Sequence, residues 1–229
     1  MTQHVRNAGG KNEIATVELT EPKSGKIITL IGVMHIGPLP YWVQINRVIK
    51  RVESRGDTIH YEMIQKNKQK SKGLAGIKER LFISGARRLN KSSERAGWLS
   101  QKKMIEYKDA WKNHDSDAAT ALEALTLRAA ISVFVTSIIF APVFTLVFRH
   151  APDVMFTVFE DDNGENNAGS ASVIDARNQV AVSAALEEPG NVALIWGAAH
   201  LEGMIELLEK QGYAETKIEW IHHSEGTEV

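Results

Sequence analysis

NVALIWGAAH (191–200) is an apolar run that ends on Gly197, with a histidine three positions later at His200. KIITLIGVMH (26–35) repeats the design, ending on Gly32 and His35. Short β-branched runs bounded in this way read as buried strands of an α/β sheet. Each is followed by a helical pattern. Trp42, Ile45, Val48, Ile49 and Val52 recur three and four apart, and Leu201 to Lys210 is amphipathic and closes before Gly212. Each helix then leads to an alternating run, TIHYEM (58–63) and KIEWIH (217–222), which reads as a further strand. The predicted fold is therefore α/β, with a mixed sheet built from the N- and C-terminal parts as a pseudo-repeat. The chain reads as a single domain over 1–229, with a helical insertion or subdomain at 70–150.

Working outward from these two units, 73–111 reads as polar, basic helix with weak stops at Gly85 and Gly97. Residues 117–148 continue as helix, 154–159 as a strand or helix end, 160–170 as a surface loop and 172–186 as helix. The 18 residues of 131–148 carry no charge. By length they are a marginal transmembrane segment, but one crossing would put His35 and Glu62 on the opposite side of the bilayer from Arg177 and His200. Pro142 would also interrupt the helix. Three placements are left: buried core or an intermolecular (homo-oligomer) contact, peripheral membrane contact, or a span.

Composition limits the chemistry. The chain has 229 residues, 43% hydrophobic and 24% charged, and no cysteine. A disordered chain is excluded, as are disulfides, thiolate zinc sites, iron–sulfur clusters and a cysteine nucleophile. The N-terminus lacks the apolar core of a signal peptide, so a cytoplasmic location with membrane association left open is expected. Dinucleotide, P-loop and nucleophile-elbow glycine motifs do not occur. The net charge of −1 conceals an asymmetry. Residues 64–112 carry 14 Lys/Arg against 4 Asp/Glu, a net of +10, whereas 113–229 carry 5 against 18, a net of −13. The lysine-rich stretch at 66–72 has no interleaved aromatic residues, so no specific nucleic-acid partner is expected. The oxygen-rich 161–165 lacks the spacing of a calcium loop.

The two Gly-x-x-His units supply the candidate site. At a strand end the glycine is expected to let the backbone turn sharply, and the histidine falls at the carboxyl rim where α/β sheets bind ligands. Glu62 ends an apolar strand, where a carboxylate must be paired, metal-bound or at the rim. Arg177 is the only Lys or Arg between His150 and Lys210. Two neutral imidazoles and a carboxylate can hold a divalent transition metal (Mn, Co or Zn) with open positions. His35, Glu62 and His200 are the metal-ligand candidates, and Glu62 and Arg177 the catalytic ones. Glu62 is either a ligand or a general base; Arg177 either stabilises an oxyanion, holds a substrate carboxylate, or forms a helix-surface ion pair. A metal-free pairing of Glu62 with one histidine as base and acid is the alternative chemistry.

GVMHIG (32–37), HYEM (60–63), DARN (175–178), GAAHLEGM (197–204) and QGY (211–213) together resemble the TraB/Tiki (GumN-like) family, over both ends of the chain. That family is marked by two Gly-x-x-His motifs, a glutamate after the first and an arginine before the second. The resemblance implies an α/β fold related to haem-binding and esterase-like proteins, in which both histidines and the glutamate converge. It implies a metal-dependent, peptidase-like hydrolase acting on a peptide or a small amide or ester. The other class it allows is a non-catalytic peptide- or haem-binding regulatory protein, membrane-associated or not.

Overall fold

A computed structural model describes residues 4–63, 73–114 and 168–225, together with single helical positions between 127 and 145. The elements expected over 117–126, 146–148, 154–159 and 160–167 lie outside the described residues.

Among the described residues one sheet has seven strands, four of them mutually parallel: β3 (Ile27–Val33), β8 (Val192–Gly197), β5 (Thr58–Tyr61) and, at the edge, β7 (Lys112–Asn113), in that spatial order. β2 (Lys11–Thr20) runs antiparallel beside β3. It gives its other edge to β9 (Ala214–Glu225), and β1 (Val5–Asn7) pairs with its N-terminal half. The sheet is therefore mixed, and the two runs that opened the sequence are adjacent, with Ile31 beside Ile195. β4 (Ile36–Pro38) and β6 (Trp98–Ser100) make a separate two-stranded ribbon.

Alternation along the strands explains the layers. Ile31, Val33, Ile59, Ala193 and Ile195 face one side and pack on α1 (Leu39–Arg55), whose Tyr41, Trp42, Ile45, Val48, Ile49 and Val52 are buried. Ile28, Leu30, Val192, Leu194 and Trp196 face the other side. There they meet α4 (Ala168–Glu187) and α5 (Leu201–Lys210) through Ala181, Val182, Ala185, Met204 and Leu208. Pro40 lies in the first turn of α1, where a missing N–H costs nothing, and Gly56 closes that helix at φ 87°.

Three expectations are corrected. The basic region is helical only over α2 (Gly73–Arg95); Gly97, at φ 89°, ends it, and β6, α3 (Gln101–Met104) and β7 follow. Gly85 is a buried position inside α2 and stops nothing. Residues 168–170, read as loop, already belong to α4. Among the described residues no helix is long and apolar enough to cross a membrane.

His223, on β9, shows how the core responds to acid. It is 3% exposed, with Tyr41 and Trp98 rings 4.8 and 5.2 Å away, and its Nε2 donates to the Ile36 carbonyl at 3.0 Å. Burial pushes its pKa down to about 4, against the opposing pull of the Ile36 bond. A depressed imidazole binds its proton more readily when unfolded. Its contribution to stability is therefore complete above the unfolded value near ~6.5 and is lost as pH falls towards 4. Urea unfolding is expected to show wild type losing about 2 kcal/mol between pH 7 and pH 5 from this group, a loss that His223→Gln should lack. Equal slopes for the two proteins would contradict it.

Candidate active site

Three neighbouring parallel strands deliver the site, because β3, β8 and β5 all end at the same rim. His35 lies two residues past β3, Glu62 one past β5, and His200 closes the 3-10 turn Ala198–His200 that follows β8. Glu62 and His200 are 7% and 5% exposed, whereas His35 is exposed, so the site opens to solvent at His35. His60, on the same face of β5 as Glu62, is buried one layer below the rim and bonds Glu188 at 3.1 Å.

The motif glycines are required by contact, and neither has a positive φ. A Cβ on Gly32 would stand 2.9 Å from the Ala15 carbonyl oxygen, so glycine lets β3 approach β2. A Cβ on Gly197 would point into the site itself, 3.3 Å from Glu62 Oε2 and 3.6 Å from both His200 Cδ2 and His35 Nε2. The expected sharp turn is thus replaced by close approach. The same distances show that the three sequence-predicted residues converge on one point.

Glu62 is held on both oxygens. The Gly197 N–H donates to Oε2 at 2.7 Å, and Arg177, on α4, donates through Nη2 to Oε1. His200 Nε2 lies 3.5 Å from the same Oε1. Burial raises the Glu62 pKa, but its interactions with His200, His35 and Arg177 outweigh burial and hold the carboxyl well below the usual carboxylate range. It is a permanent anion and a weak base. Arg177 therefore joins the site as the partner of Glu62.

Each histidine is oriented by a side-chain amide. His200 Nδ1 meets the Asn178 oxygen at 2.6 Å, and His35 Nδ1 meets the Gln101 oxygen at 2.8 Å. An amide oxygen only accepts, so Nδ1 carries a hydrogen in both rings and Nε2 is the atom each ring turns towards the site. Gln101 is fixed in turn, because its Nε2 donates to the Tyr107 hydroxyl at 3.0 Å and its backbone N–H to the His35 carbonyl at 2.8 Å. Asn178 is packed against the backbone of α5, where a Cβ on Gly203 would come within 2.5 Å of its Nδ2. Both amides escaped the sequence reading. Asn178 adjoins Arg177 in DARN and could have been suspected, whereas nothing local marks Gln101.

The donor set of two imidazole nitrogens and a carboxylate suits a borderline divalent metal, and amide partners on the far ring nitrogens are the support such ligands require. Among the described residues no group of three or more His, Asp or Glu side chains is already arranged to hold a metal ion. Compared with known proteins, the chain matches no family model, no curated protein and no solved structure.

Proposed function

We propose that the chain is a TraB/Tiki-like, metal-dependent hydrolase. In this reading His35, Glu62 and His200 hold a divalent transition metal (Mn, Co or Zn), and the substrate is a peptide or a related small amide or ester. One observation carries the proposal. Nε2 of His200 lies 3.5 Å from an ionised Glu62 oxygen, with His35 Nε2 at the same point of the rim and both Nδ1 atoms committed to amide oxygens. Two imidazole nitrogens and a carboxylate that meet in a low-dielectric setting form a place where a cation is favoured.

A divalent ion bound there would lower the pKa of a water ligand and polarise a carbonyl. The protein's own residues supply the rest. Asn178 and Gln101 hold the imidazole tautomers, the Gly197 N–H keeps Glu62 turned into the site, and Gly197 leaves the volume free. Arg177 balances the carboxylate and has a planar fork suited to a substrate carboxylate or a developing oxyanion. The low proton affinity of Glu62 favours ligation over general-base work.

Peptide and ester panels, offered to chelator-treated protein with and without added Mn²⁺, Co²⁺ or Zn²⁺, test the reading. Metal-dependent cleavage lost in both His35→Ala and His200→Ala is expected. Cleavage indifferent to chelator and to both substitutions would overturn it. Saturable peptide binding without cleavage would move the protein to the regulatory binding class.

A further inference from the structure

Large exposed hydrophobic side chains are concentrated on the helical middle of the chain. α2 exposes Leu74, Ile77 and Ile83. The helical positions that follow expose Ile131, Val135, Ile138 and Val143. Only four others occur among the described residues of the whole sheet domain, Leu39, Val43, Val180 and Ile218. Ile131, Val135 and Ile138 are four and three apart, which places them on one helical stripe. These positions contact α2, with the Arg88 guanidinium 5.8 Å from the Phe134 ring and the Thr145 hydroxyl donating to the Ser92 carbonyl at 3.4 Å.

The same surface is strongly cationic. Positions 77, 80, 87, 91 and 95 follow helical spacing along α2 and place Ile77 in line with the exposed Arg80, Arg87, Lys91 and Arg95. The two α2 acids do not neutralise them: Glu94 is engaged by Lys103 at 2.7 Å, which leaves Glu79 alone against this row. The region 64–112 carries its net +10 while the remainder of the chain is acidic from residue 113 onwards. Large apolar side chains interleaved with arginine and lysine on helical segments have the composition of segments that lie in a bilayer interface.

We propose that α2 and the described helical positions between Ile131 and Val143 dock the protein on an anionic membrane surface. The isoleucine, leucine and valine side chains enter the headgroup boundary, and the α2 cations meet lipid phosphates. A second copy of the chain fits less well, because pairing this face with itself would set its cations against each other.

Co-sedimentation of the full chain with unilamellar vesicles tests the proposal. Binding to vesicles containing phosphatidylglycerol is expected to be at least ~10-fold tighter than to pure phosphatidylcholine, and to weaken as salt is raised. Ile131→Asp with Ile138→Asp, and separately Arg87→Glu with Lys91→Glu, should each reduce binding by at least ~10-fold with an unchanged circular dichroism spectrum. Failure to bind anionic vesicles at low salt would overturn it, as would binding that survives both pairs of substitutions. A concentration-dependent dimer dispersed by the same substitutions, without vesicle binding, would assign the face to a second copy instead.

Discussion

Glu62→Gln is expected to abolish metal binding and hydrolysis together while leaving a folded protein. The amide oxygen can still accept from the Gly197 N–H, but the amide nitrogen then faces the Arg177 guanidinium, donor against donor. The negative charge that offsets Arg177 and attracts a cation is gone. Hydrolysis is expected to fall to background with the metal, whereas a general-base role would retain metal and lower the rate by about 10²–10⁴. Stability should fall by roughly 1–3 kcal/mol, the cost of leaving a buried charged group without its partner. Metal content and steady-state rate, measured on one preparation, decide between roles. Retained metal with a lost rate would make Glu62 a base in spite of its low proton affinity.

The largest effect on stability is expected at the other motif glycine. Gly32→Val would place a branched side chain where even a Cβ meets the Ala15 carbonyl oxygen and Ile14 Cγ2 at 2.9 Å, and Leu201 Cδ1 at 3.0 Å. The first of these is backbone of the paired strand and cannot rotate away, so β2 and β3 must part or α5 must shift. Overpacking of this kind costs roughly 3 kcal/mol or more, which for a chain of this size lowers Tm by roughly 6–12 °C. Thermal unfolding checks it, and a change below a few degrees would show that the strand pair is more compliant than its contacts indicate.

How far the sequence disclosed this arrangement depended on whether the signal was local. The two Gly-x-x-His strands were legible because both are continuous apolar runs covered on both faces, and the helices after them carry clean three- and four-residue spacing. β2 was not legible. Its segment KNEIATVELT mixes Asn12, Glu13, Thr16 and Glu18 with the buried Ile14, Ala15, Val17 and Leu19, and its charged residues find partners only in the folded sheet, Glu13 with Arg6 and Glu18 with Arg55. β6 and β7 are three and two residues long, too short to show a period. In the site, His35, Glu62, Arg177 and His200 could be nominated from residue type and position. Their order in space followed only from β8 lying between β3 and β5. Gln101, on a four-residue helix, reaches His35 solely through tertiary packing.

The reasons for the motif glycines also belong to packing. A strand-end glycine suggested a turn, and both positions have ordinary negative-φ backbone. What they share is the absence of a Cβ where a neighbouring strand or a cluster of polar atoms comes close.

Equilibrium binding of Mn²⁺, Co²⁺ and Zn²⁺ to chelator-treated protein, followed by titration calorimetry and by elemental analysis after desalting, tests the metal site most directly. One ion per chain is expected for wild type, falling to background in both His35→Ala and His200→Ala, with both variants still folded. Stoichiometric metal retained in the His35→Ala, His200→Ala double variant, or none bound by wild type at any of the three ions, would contradict the account.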